Sequence, residues 1–330
     1  MRLGKITENA LKRSVLKQLR TEFKKETSAA VGTDCAFSTK GEGVFSTIVP
    51  VTENIKDAGY YGVVKAVNGL VSQGITPDHV EVSVLLPADA QEPILKKIVA
   101  DAINGAKACG VVYAGGHSEV TSAVNRPLVT VSAVGHVDNS GAAQDLKLFR
   151  GKGVPGQALV ITKWVALEGT AMLASEKYDE LTSRYPAPFI DDARGFKDYL
   201  FTGEEMAIAL KSGISSCHDL SSGGVFAGLW DMAARAGCGF KVDLKAIPLR
   251  QETVEICEFF TLNPYELMSG GALLMTTDTP ERLVADLEEK GIPAAIVGEL
   301  VEGNDKIIIN GDESRFLESP QADQILNVLS

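Results

Sequence analysis

Apolar residues recur along the chain in two rhythms, and the alternation between them sets out the elements. Leu11, Val15, Leu16, Leu19 and Phe23 fall at helical spacing, with Lys12, Arg13, Lys17 and Arg20 on the opposite face. An amphipathic helix is predicted there, with Thr7 as its N-cap. Val44–Val51 is an apolar, β-rich run and reads as a strand. The helical rhythm returns over Asp57–Gln73, where Gly74 stops it. His79–Leu86 alternates as a strand does, and Ala88–Ala108 is periodic as a helix. Val111–Ala114 and Leu128–Val137 are further strands. A β-α-β-α-β-β order with short connections predicts a mixed sheet covered by helices.

Asn139–Gly156, rich in Gly, Lys and Asp, reads as the seam between two halves, 1–150 and 151–330. Ala158–Thr162 opens a second α+β half. Helices are predicted over Glu168–Lys177, Thr202–Lys211, Gly224–Ala236, Gln251–Phe259 and Pro280–Lys290. Strands are predicted over Gly239–Val242, Ala272–Thr276 and Ala294–Leu300. Ser319-Pro320 has the form of an N-cap and first helical residue, so a short helix is expected near the end.

At 330 residues the chain has room for about two domains. A net charge of −11 argues against nucleic acid and against an anionic membrane surface. No apolar run reaches the roughly 18 residues that span a bilayer. The acidic residues Glu8, Glu22 and Glu26 are wrong for a targeting helix. Five cysteines without a C-x-x-C pair support neither a disulfide framework nor a thiolate zinc site, and the cytoplasm is the expected compartment.

Several short motifs carry little by themselves. Gly151–Gly156 satisfies G-x-G-x-x-G, but it precedes a strand and contains Pro155, so it reads as a turn. Cys217-His218 are neighbours whose side chains diverge, which is no nucleophile–base pair. The pairs Gly115-Gly116, Gly223-Gly224 and Gly270-Gly271 read either as tight turns or as places where bare amides approach an anion. Ser222-Gly223-Gly224 leads into a predicted helix and is the better phosphate candidate. His117 and Glu119, two residues apart, read either as an ordinary polar loop or as a pair on one strand face that could serve as ligand or base.

Taken in order, these segments resemble the aminoimidazole-ribonucleotide (AIR) synthetase superfamily, most of all its HypE-like hydrogenase-maturation branch. Gly32-Thr33-Asp34-Cys35-Ala36 is similar to G-D-D-A-A, and Val49-Pro50-Val51-Thr52 to T-D-P-V-T. Asn68-Gly69 lies within Val67–Pro77, where the family has N-D. Gly115–Thr121 resembles G-G-H-T-E-V-T, and Thr162-Lys163 with Leu167–Thr170 resembles T-K-G-x-x-L-E-G-T. His218–Gly224 resembles H-D-P-T-E-G-G, and Ser269–Leu274 resembles S-S-G-A-L-L.

The resemblance implies an α+β fold of two domains. It implies an N-terminal mixed-sheet domain that forms a homodimer through a barrel, and ATP held with Mg²⁺ in a groove between the halves. It also implies phosphoryl transfer to an amide, carboxamide or similar oxygen, and a maturation-protein or small-molecule partner. Carried onto this sequence, it places Asp34 and Glu119 at metal. Asn68, Gly115, Gly116, Ser222, Gly223 and Gly224 go to nucleotide or phosphate, and His117, Lys163 and Asp219 to catalysis, with Glu168 and His218 as further polar groups. Thr33, Val49 and Gly69 stand where the family has carboxylates, and the last cysteine is Cys257 rather than a terminal one. Mg²⁺ needs hard oxygen ligands, so both a working enzyme with altered metal use and a non-catalytic binding relative are compatible with the residues.

Overall fold

The computed structural model describes residues 4–24, 28–37, 43–137, 148–149 and 151–330. The N-terminal helix forms as α1 (Glu8–Leu11), passes through a π-helical turn at Lys12–Leu16, and continues as α2 (Lys17–Phe23). The Thr7 side chain accepts from the Ala10 amide at 3.4 Å, the N-cap its position predicts.

The first half is a five-stranded sheet in the order β1-β2-β5-β3-β4. Its strands are β1 (Ala36–Phe37), β2 (Val44–Val51), β3 (Thr76–Leu86), β4 (Val112–Val120) and β5 (Leu128–His136). Helices α3 (Ala58–Val71) and α4 (Glu92–Ala108) pack on one face. Alternation along β2 follows from this one-sided cover: Phe45, Thr47 and Val51 are buried, while Ile48 on the opposite face is 73% exposed. β4 runs six residues beyond the predicted Ala114, so Gly115 and Gly116 lie inside a strand and not in a loop. α4 starts at Glu92 rather than Ala88, because a turn precedes it and Pro93 takes the first helical turn.

The second half is a seven-stranded sheet in the order β12-β11-β8-β10-β6-β9-β7. Its strands are β6 (Ala158–Thr162), β7 (Ser216–Leu220), β8 (Gly239–Asp243), β9 (Ala272–Thr277), β10 (Ala294–Val301), β11 (Lys306–Asn310) and β12 (Glu313–Phe316). The helices are α5 (Leu167–Glu176), α6 (Tyr178–Thr182), α7 (Ala187–Arg194), α8 (Gly203–Ser212), α9 (Gly224–Ala236), α10 (Gln251–Phe260) and α11 (Pro280–Glu288). α6, α7, β11 and β12 have no counterpart in the periodicity. The helix expected at Ser319-Pro320 is a 3-10 turn at Gln324–Asn327, capped by Asp323 instead. Of the predicted seam, residues 139–147 and 150 lie outside the described residues.

The main hydrophobic core crosses the boundary between the halves. Val67 and Leu70 of α3 belong to the same buried cluster as Leu173 of α5 and Leu200. Asn68 makes the join directional. Its Nδ2 donates to the Leu200 carbonyl at 2.7 Å, and its Oδ1 accepts from the Thr202 amide at 3.2 Å and hydroxyl at 3.1 Å. Asn68→Ala strands these partners in a buried place, and urea denaturation is expected to show a loss of about 2–4 kcal/mol.

Candidate active site

The centre of the site is the Asp34 carboxylate, wedged between the end of α3 and the edge of β7. Its Oδ2 accepts from Ser72 Oγ at 2.9 Å, Gln73 Nε2 at 3.0 Å and the Asp219 amide at 3.2 Å. Its Oδ1 lies 2.7 Å from His218 Nδ1, an ion pair whose alignment falls short of a hydrogen bond. Burial alone would raise the carboxyl pKa, but His218 and the amide and hydroxyl donors outweigh it and hold it below the ordinary value. His218 is held above its own ordinary value, because Asp34 outweighs the cost of burying the cation. The other imidazole nitrogen, Nε2, has Asp231 Oδ2 of α9 at 3.9 Å, and Lys5 Nζ meets that same oxygen at 3.0 Å.

Asp219 is the opposite case. Its Oδ1 is buried without a partner. Burial, reinforced by the charges of Asp34 and Glu168, pushes its pKa up to about 8. Two neighbouring carboxylates are thereby driven apart, one ionised and one carrying a proton at neutral pH.

Both face a cavity of about 690 Å³ that runs along β2 beyond its short pairing with β1. Thr47, Ile48, Val49 and Pro50 form one wall, and Ser221, Ser222 and Gly228 the other. Lys65 reaches it from α3 and forms a buried ion pair with Glu168 of α5 at 3.2 Å. Lys5 and Arg126 also line it.

The predicted residues divide sharply. Asp34, Asp219 and Ser222 line this cavity together. Gly223 lines an adjoining cavity of about 180 Å³, where its amide is taken by the Asp323 carboxylate at 2.5 Å. Gly224 starts α9 behind it, with its amide on the Ser221 carbonyl at 3.1 Å. Asn68 is spent on the join between halves. Lys163 is outside the cavity lining: its Nζ pairs with Glu205 at 2.5 Å and donates to the Tyr199 carbonyl at 2.6 Å.

His117 and Glu119 are also elsewhere. They sit on β4, both exposed, with His117 Nε2 3.0 Å from Glu119 Oε2. The cross-strand row Pro50–Thr130–Ser83–His117 puts three strand spacings, about 14 Å, between His117 and the cavity wall. Within one chain, therefore, Glu119 cannot share a metal ion with Asp34. Lys65 and Asp231 lie outside every motif, while Ser72 and Gln73 lie within Val67–Pro77 and had no role assigned to them. Lys65 had one available signal, as the charged residue within the apolar run of α3.

Mg²⁺ does not fit these residues. The oxygens of Asp34 are already engaged, Val49 offers no side-chain oxygen, and a Cβ on Gly69 would meet Thr47 Cγ2 at 3.0 Å and the Asp34 carbonyl at 3.1 Å. Among the described residues no three His, Cys, Asp or Glu side chains converge as a metal site.

The N-terminal domain model of the AIR synthase-related proteins matches residues 22–137, and the C-terminal domain model matches residues 154–310. The chain belongs to the AIR synthase-related family. A carbamoyl dehydratase HypE of Rhodobacter capsulatus is 28% identical over 262 residues, covering 77% of this chain and 73% of the relative. The solved HypE–HypF complex contains a chain that superposes with a TM-score of 0.72 at 20% identity, covering 93% of this chain and 99% of that one. HypE crystallised with ATP superposes at 0.71 with 18% identity, covering 94% and 96%. At such identities the likeness establishes the fold: a two-domain AIR synthase-like α+β architecture. No described helix is long and apolar enough to cross a membrane.

Asp219 gives this AIR synthase-related protein a pH signature. The native carboxyl keeps its proton up to about pH 8, while the unfolded one loses it near the ordinary value of 3.8. The native state thus binds the extra proton across that window, and stability falls as pH rises through it. Relative to Asp219→Asn, which cannot ionise, the wild type is expected to lose up to about 1.4 kcal/mol per pH unit there, read by chemical denaturation at a series of pH values.

Proposed function

We propose that the chain binds ATP in the cavity between its halves and activates an amide, carboxamide or similar oxygen by phosphoryl transfer, in the service of metallocofactor maturation. The observation that carries this reading is Asp219, a buried carboxyl with one oxygen left unpartnered, in the lining of a cavity that both halves share. With its raised pKa it is suited to give a proton to an oxygen that gathers or sheds charge. His218, braced by Asp34 and with Nε2 near only the distant Asp231 oxygen, is a second group able to hold a proton at the cavity wall. Lys65, Lys5 and Arg126 supply positive charge to the lining. The names of the relatives support the reaction class, carbamoyl dehydration in R. capsulatus HypE, and an ATP complex is known for a protein of this fold.

A second reading has its own observation. Neither Val49 nor Gly69 brings a side-chain oxygen beside Asp34 in this lining, which favours a protein that binds a nucleotide, a phosphorylated metabolite or a partner without turnover. The HypE–HypF complex supports a maturation protein as such a partner.

A homodimer is part of the proposal. β4 is the sheet's edge; Val112 on it is exposed together with Ile48 on the uncovered face, and Val120, opposite buried Leu86, is exposed at the end of the strand. Pairing of two such sheets would bury these residues and would give Gly115, Gly116, His117 and Glu119 to the dimer face.

Calorimetry with ATP, followed by a phosphate-release assay with small amides as acceptors, separates the readings. Turnover that Asp219→Asn lowers about 10²–10⁴-fold, with ATP binding retained, is the outcome expected of the enzyme. Binding without any turnover is the outcome of the second reading, and absence of binding overturns both. Sedimentation of the wild type is expected to give a dimer, and Val120→Lys on the edge strand a monomer.

A further inference from the structure

Two residues of α3 line the larger cavity, Lys65 and Gly69, one helical turn apart and so on one face of the helix. Gly69 stands where the resemblance to the family calls for a carboxylate, and so does Val49 on the β2 wall. A metal ion bridging to a ligand's phosphates needs anionic oxygens on the protein side. The cavity face of α3 offers the reverse, a cation and no carboxylate.

Lys65 is braced from outside the cavity. Its side chain is 9% exposed, and its Nζ lies 3.2 Å from Glu168 Oε1. Glu168 is buried and is not part of the lining, and its Oε2 accepts from the Gly270 amide at 3.2 Å. Burial works against the ammonium, but Glu168, with Glu53 adding to it, outweighs that cost and holds the Lys65 pKa above its ordinary value. An ammonium carries three donors and requires no fixed coordination geometry, only acceptor oxygens within reach.

The carboxylates of the lining have partners of their own. His218 answers Asp34, Lys5 answers Asp231, and backbone amides answer Asp323 and Glu53. Arg126 donates to the Thr52 carbonyl at 2.9 Å and, among the described residues, has no carboxylate within ion-pair distance. A further anion entering the cavity therefore finds Lys65 on α3 and Arg126 beyond the end of β2.

We propose that Lys65 meets the phosphoryl oxygens of the ligand directly, supplying the charge neutralisation expected of a divalent ion, so that this chain binds its ligand without metal. The role rests on the reading of the cavity as one that takes a phosphoryl-bearing ligand. It adds the group that answers the ligand's charge.

The test is calorimetric titration of the full chain with ATP, once in EDTA and once in excess Mg²⁺. The same affinity is expected in both. Lys65→Met is expected to weaken binding about 10–100-fold, the worth of one charge-assisted contact. Glu168→Gln, which relieves the ammonium of its counter-ion, is expected to bind at least as tightly as the wild type. An ion pair that only holds the halves together would make both variants bind more weakly, and that result, or unchanged binding by Lys65→Met, overturns the proposal. If Lys65→Met does not fold, the double variant Lys65→Met/Glu168→Gln leaves no lone charge and takes its place, compared with Glu168→Gln alone. ATP bound only in the presence of Mg²⁺ overturns the role of Lys65 and leaves the nucleotide reading standing. If ATP binds in neither condition, the nucleotide reading falls and inorganic pyrophosphate in EDTA decides. Pyrophosphate binding that Lys65→Met weakens keeps the role of Lys65, and no binding, or binding indifferent to that variant, overturns it as well.

Discussion

The structure depends on how the edge of β7 is closed. β7 is the last strand of its sheet, yet it is buried, so its outward amides and carbonyls need partners. Among the described residues no strand supplies them. Asp34 accepts from the Asp219 amide and Gln73 donates to the Cys217 carbonyl at 3.0 Å, so two side chains from the first half stand in for a neighbouring strand. Arg235 of α9 fastens the same corner, reaching the carbonyls of Gly32 and Phe149 and the Gln73 side chain. The carboxylate at this joint is stable in the interior because every oxygen meets a donor or a cation.

That structural duty decides the chemistry around it. A carboxylate engaged by Ser72, Gln73, a backbone amide and His218 has little left to offer an ion. Its negative charge also acts on the next carboxyl along, Asp219, which is left without a partner and keeps its proton. The acid and the cation brace of the cavity are therefore consequences of the joint between halves. In this chain Val49 and Gly69 bring no carboxylate beside Asp34, while a buried imidazole and two unequal carboxyls line the space.

The architecture was legible because buried elements keep strict periods. α3 and β2 announce themselves through largely apolar runs, and Gly74 marks where the first of these stops. α6 and α7 were not legible, being short and mixed in composition, with the packing of Leu181, Ile190 and Ala193 rather than pattern holding them. β11 and β12 were missed for a related reason: a peripheral hairpin has no fully buried face to impose alternation. For the site, motif order located Asp34, Asp219 and Ser222 in one cavity. It misplaced His117 and Glu119, because membership of a motif says nothing of how many strands intervene. It also gave Lys163 and Asn68 to chemistry when their side chains are consumed by buried neighbours. Lys65 went unremarked since helical periodicity treats a single charge as an exception.

The Lys65–Glu168 pair bears on how such a chain can change over time. α3 contributes the cation and α5 the anion, so each half brings to the joint a buried charge whose ion-pair partner belongs to the other. A half joined to a counterpart that lacks the matching charge would keep an unpaired ion at the buried joint, at a cost of several kcal/mol. The two halves are separate sheets, yet they are not interchangeable modules.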